Sequence, residues 1–140
     1  MKKYIQVIVV SIVASVVLCA CAISPRVSTW ESSKQFTKAQ VFNASLQAGG
    51  EHGYTTTASD RESGTLSFTK KIANGNMILN VRIADTNNVM RVRTTANYAG
   101  DIAIRGLHEE AIRNFHILLF RALNIASQSE LNNVRVEELR

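Results

Sequence analysis

Two turn signals in the middle of the chain select the same apolar face, and no other feature restricts the fold as much. Leu66, Phe68 and Ile72 alternate with Ser67, Thr69 and Lys71, the period of two by which a strand buries one face and wets the other. Asn74-Gly75 follows, the strongest short-range hairpin signal, because both residues tolerate the positive φ that a two-residue loop demands. Folding back around that dipeptide sets Phe68 opposite Val81 and Leu66 opposite Ile83. The next turn, Asp85-Thr86-Asn87-Asn88, closes symmetrically by setting Ile83 opposite Met90 and Val81 opposite Val92. The two turns are independent, yet both point Val81 and Ile83 inward. A slip of one residue at either turn would bring the whole apolar set to solvent. Lys70 interrupts the alternation opposite Leu79 and is expected to snorkel at an edge. A strand from Tyr54 and the polar turn Asp60-Arg61-Glu62-Ser63-Gly64 come first, which makes a four-stranded antiparallel meander.

Helical periodicity flanks the meander on both sides. Ser32 with Gln35 offers a capping box, so a helix is expected from Ser33 to Ala48, with Phe36, Ala39, Phe42 and Leu46 on one side and Gly49-Gly50 ending it. A longer helix is expected from Gly106 or Leu107 to about Ser127. Its stripe is Leu107, Ala111, Phe115, Leu118, Ala122 and Ile125, flanked by Ile112, Leu119 and Leu123. Ile117 and Phe120 fall off this stripe and need cover from the tail or the first helix or, as the competing reading, from a partner. The expected class is therefore α+β: helix, four-stranded antiparallel meander, long C-terminal helix, with both helices packed on one sheet face. The domain would span residues 32–127, and 128–140 would be a polar tail.

The chain is 46% hydrophobic, but its apolar residues crowd into the first 23 positions. Lys2 and Lys3 precede an uncharged run from Tyr4 to Leu18, the order of a positive n-region and an apolar h-region in an export signal. The run is also long enough to cross a bilayer, so an uncleaved span is the competing reading. Leu18-Cys19-Ala20-Cys21 resembles the lipobox of bacterial lipoproteins, with Cys19 an unusual residue at the tolerated position. The resemblance implies a signal peptide of residues 1–20, cleavage between Ala20 and Cys21, and lipid on Cys21. Residues 21–31 would then be a lipidated tether holding the only proline, Pro25. Ala22, which is not Asp, implies sorting to the outer membrane, facing the periplasm. Trp30 would lie against the membrane interface or pack on the domain. The element order after the signal is also similar to the helix-grip domains of outer-membrane assembly lipoproteins such as BamC.

With 140 residues the chain supports one core. The formal charge is +5, two units of which leave with Lys2 and Lys3, so a nucleic-acid partner is not expected. Cys19 would depart with the signal and Cys21 would be consumed by lipid, leaving no thiol for a disulfide. His52, His108 and His116 lack partners at metal spacing, and His108-Glu109-Glu110 has Ile112 where a zinc helix needs its second histidine. No Gly-x-Ser-x-Gly elbow is present, and Gly49, Gly50 and Gly53 are too scattered for a phosphate loop. Neither catalysis nor a metal or cofactor is expected. The functional signal lies on the wet side of the sheet, where Arg82 is expected directly opposite Arg91, with Arg93 two residues further along. Like charges so placed repel, so the row is read either as a solvated basic face that salt partly screens or, more sharply, as a docking face for an acidic protein or another anionic envelope component. The expected role is a non-enzymatic envelope interaction module held to the membrane by its lipid. The alternative is a carrier or sensor for a small amphiphile or anion held between helices and sheet.

Overall fold

A computed structural model describes residues 25–32, 35–100, 106–125 and 130–138; the signal, Ala20 and Cys21 lie outside them. In chain order the elements are β1 (Arg26–Glu31), α1 (Lys38–Glu51), β2 (Thr55–Asp60), β3 (Thr65–Ile72), β4 (Gly75–Thr86), β5 (Val89–Gly100), α2 (Leu107–Ala122) and β6 (Val134–Glu138). The six strands form one antiparallel sheet in the order β2-β3-β4-β5-β1-β6. The class is α+β, as the periodicities imply, but the sheet has six strands rather than four. The added strands come from segments expected to be tether and tail. Arg26–Glu31 enters between β5 and β6, and Val134–Glu138 closes the edge, so α2 is followed by a strand.

The meander keeps its expected face but not its expected register. Leu66 pairs with Val81, Phe68 with Leu79, and Lys70 with Met77. Ile83 pairs with Val92. Each register has moved by two residues. The first loop is Ala73-Asn74, between the paired Ile72 and Gly75. The second is Asn87-Asn88, both left-handed at φ 55° and 61°, the mirror-image turn that suits the strand twist better than a four-residue loop. A shift of two preserves side-chain parity, so Leu66, Phe68, Leu79, Val81, Ile83 and Val92 remain buried together. Lys70 is half-buried; its Nζ donates to the His52 carbonyl at 2.8 Å and lies over the Tyr54 ring.

α1 begins five residues later than Ser33 because the Ser32 N–H is taken by the Met90 carbonyl at 2.9 Å, continuing the sheet. The capping box forms instead at Thr37 and Gln40: the Gln40 N–H donates to Thr37 Oγ1 and the Thr37 N–H to Gln40 Oε1. Gly49 and Gly50 lie inside the helix. A Cβ at Gly49 would meet the Phe68 ring at 2.5 Å, so this glycine lets α1 approach β3. The stop is Gly53, at φ 78°. Its N–H bonds the Gly50 carbonyl and the Tyr54 N–H bonds that of Gly49, a Schellman motif. Asn124, at φ 55°, ends α2 in the same way through Arg121 and Phe120, which is why that helix stops at Ala122 rather than near Ser127.

The buried face of α2 is Ala111, Ile112, Phe115, His116, Leu119 and Phe120, with His108 at its start. It is rotated from the expected stripe because β1 supplies a second surface. Trp30 is fully buried and tilts against Phe120, with centroids 4.9 Å apart, a pairing that adds about 1 kcal/mol to the area buried. Trp30 therefore packs on the domain, and β1, not α1, is the aromatic cover of Phe120. The indole Nε1 donates to Glu130 Oε2 at 2.9 Å, tying the segment before β6 to the core.

Candidate functional site

Among the described residues no helix covers the outer face of the sheet, and strand pairing fixes which side chains meet there. Arg82 pairs with Arg93, Arg93 with Thr29, and Thr29 with Arg135. Paired residues share a face, so these four form one row across β4, β5, β1 and β6. The three arginines are exposed. Among the described residues no carboxylate lies within ion-pair distance of Arg82, Arg93 or Arg135. Arg82 and Arg93 are direct cross-strand neighbours of like charge, an arrangement that disfavours the sheet and is relieved by an anion.

Arg91 corrects the sequence reading. The two-residue shift at Asn87-Asn88 sets it opposite Ala84, not Arg82, while its other neighbour is Glu31 of β1. Arg91 Nε donates to Glu31 Oε1 at 2.9 Å and the terminal nitrogen to the same oxygen. Its charge is thus answered within the chain. Arg93 takes the place opposite Arg82 expected of Arg91, and Arg135 extends the row on β6; sequence reasoning missed Arg135 because the tail is polar in composition. The alternation in Val134-Arg135-Val136 was the available signal. A shallow cleft of about 810 Å³ runs over this side of the sheet, bordered by Arg91, Arg93 and Arg135 but also by Glu31 and Glu137. The positive row is therefore bounded by acidic side chains on β1 and β6.

The opposite face holds the buried polar groups. The structure keeps the three histidines apart: His52 caps α1, His108 opens α2, and His116 sits in the core. Among the described residues no group of histidine, cysteine and carboxylate side chains could hold a metal. Burial lowers the pKa of His52, helped by the Lys70 charge, and that of His108, helped by Arg26. His116 is fully buried and its pKa falls to about 4 through loss of solvation. Its Nε2 lies 3.1 Å from Ser28 Oγ, while Nδ1 has no partner among the described residues. Folding thus joins a serine hydroxyl and an imidazole across 88 residues of chain. Both are wholly enclosed, and among the described residues no carboxylate is hydrogen-bonded to the ring.

Between helices and sheet the space is filled by Trp30, Phe68, Phe115, Leu119 and Phe120. Among the described residues, clefts remain at its margins: one of about 690 Å³ between α2 and β6, where Ile112, Leu131 and Val134 meet the charged Arg26, Glu109 and Arg113, and a smaller one of about 180 Å³ where Tyr54, Lys70 and Met77 face Leu107 and Ala111. Arg26 pairs with Glu109 at 3.4 Å.

No protein-family model matches the chain, and no curated protein matches it significantly. Solved structures resemble its fold. The crystal structure of Ara h 8.0201 superposes with a TM-score of 0.51 at 10% identity, over 78% of this chain and 99% of that one. That of TTHA0849 from Thermus thermophilus gives 0.40 at 12% identity, over 76% and 97%. At such identities the first likeness speaks to the fold alone.

Proposed function

We propose that this chain is a non-enzymatic envelope lipoprotein, anchored through Cys21, whose open sheet face docks an acidic partner. The observation that carries the docking role is the row Arg82, Arg93 and Arg135, three exposed guanidiniums that, among the described residues, have no carboxylate partner and no helix over them. The resemblance of Leu18-Cys19-Ala20-Cys21 to a lipobox supports the anchor. In a low-dielectric contact an anion bound by this row would also relieve the Arg82–Arg93 repulsion, so binding should weaken with salt.

Two measurements test the two halves separately. The intact mass of detergent-extracted protein should equal residues 21–140 plus acyl groups, and Cys21→Ala should abolish the modification; an unmodified full-length mass in both removes the anchor. A photo-crosslinker at Asn80, beside the row, should capture a partner in cells expressing the native chain. Arg82→Glu with Arg93→Glu should abolish that product without lowering the melting temperature. Capture that persists at full yield removes the docking face. A second reading, a carrier of a small amphiphile, draws support from the cleft between α2 and β6, whose volume suits a small ligand. Saturable binding of a fluorescent fatty acid, lost in Val134→Trp, would favour it.

A further inference from the structure

β6 is an edge of the sheet: among the described residues it pairs with β1 and nothing pairs with its other side. An edge strand offers a row of unsatisfied backbone donors and acceptors to any strand that can lie beside it. Val136 adds an exposed apolar side chain, 45% accessible and one of two large hydrophobic residues so exposed among the described residues. The other edge, β2, is less suited, because its register shifts between Thr56 and Ala58, and such a bulge turns an edge away from further pairing.

The sequence of β6, Val134-Arg135-Val136-Glu137-Glu138, is complementary to itself. In an antiparallel pair centred on Val136, Arg135 of each copy stands opposite Glu137 of the other, and the two Val136 side chains meet. Arg135 and Glu137 both lie on the outer face, as Thr29 and Val27 opposite them require. Centring the pair on Arg135 would set arginine against arginine, and centring it on Glu137 would set glutamate against glutamate, both repulsive. One register thus answers both charges and covers the exposed valine. We infer that β6 is the dimerisation edge of this protein, pairing with β6 of a second copy about a twofold axis through Val136. The sheets join into one, helices of both copies lie on the same side, and on the other side Arg135 is answered by Glu137 of the second copy while Arg82 and Arg93 of both copies stay open to an acidic partner. The inference goes beyond the docking function and stands without the lipid anchor.

The test uses the full chain in mild detergent with Cys19→Ala and Cys21→Ala, so that thiol chemistry reports only an introduced cysteine. Directly opposed residues in an antiparallel pair lie within the Cα separation that a disulfide spans. Val136→Cys should therefore give a disulfide-linked dimer under mild oxidation, and Asn132→Cys, off the strand, should not. Adding Arg135→Glu to Val136→Cys should reduce the dimer to the Asn132→Cys background. Adding both Arg135→Glu and Glu137→Arg should restore it, because the swapped pair is again complementary. Absence of a disulfide-linked dimer in Val136→Cys, insensitivity to Arg135→Glu, or failure of the double swap to restore the dimer each overturns the inference. Both charged residues are exposed, and circular dichroism of each variant verifies that the fold is retained.

Discussion

The buried imidazole of His116 makes stability depend on acidity in a window that the structure defines. In the fold its pKa is about 4, against 6.5 in an open chain. Above about pH 6.5 neither state holds the extra proton, and the full stability is present. As the pH falls below 6.5 the unfolded chain takes up a proton that the folded one refuses, so stability is lost until the folded group titrates near 4, and then levels off. The gap of about 2.5 units corresponds to about 3 kcal/mol in total, of which about 2 kcal/mol is lost by about pH 5. The comparison is Ser28→Ala with His116→Leu, which removes both partners of the hydrogen bond and leaves neither polar atom stranded. Urea unfolding of the native and double-variant chains, followed by Trp30 fluorescence at about pH 7.5 and about pH 5, isolates the effect. His52 and His108 contribute equally to both chains. The native chain should lose about 2 kcal/mol more than the variant; equal losses would refute a neutral, enclosed His116.

Other perturbations have outcomes fixed by local geometry. Gly49→Ala drives a methyl group into the Phe68 ring and should cost about 1–3 kcal/mol in urea unfolding. Gly50→Ala meets nothing within 4 Å and should instead stabilise by up to about 1 kcal/mol. Glu130→Ala strands the Trp30 indole N–H, which should cost about 1–3 kcal/mol and shift the emission of the single tryptophan. At the second turn, Asn88→Gly should hold or raise the melting temperature, whereas Asn88→Val should lower it, since a β-branched residue tolerates the left-handed φ of 61° poorly.

The inward set of the meander is legible in the sequence because parity survives an error of two residues, which is the error that both turns produce. The identity of cross-strand partners is not, since it depends on which two residues form each loop; hence the sequence pattern sets Arg91 where Arg93 stands. β1 and β6 are hidden for a different reason. Each has at most six residues, and the contacts that define them lie far away, with Ser28 meeting His116 across 88 positions and Trp30 meeting Glu130 across 100. Locally, only a few residues of alternation, as in Val134-Arg135-Val136, distinguish such a segment from a linker. The rotation of the α2 stripe follows from the same omission: without β1 in place, His116 and Phe120 have no surface to face. The Ser28–His116 pair becomes visible only once that strand is placed.

The position of β1 also determines how the domain would bear load. It is hydrogen-bonded on both sides, to β5 and β6, and only Ala22 to Pro25 separate it from Cys21. With the chain held at Cys21 as proposed, a pull on the anchor runs along β1, against two ladders of hydrogen bonds that must slide together rather than open one at a time. Such a strand resists extraction through its unfolding rate rather than its equilibrium stability. An attachment next to α1 or the β2 edge would instead peel the domain from its least protected side.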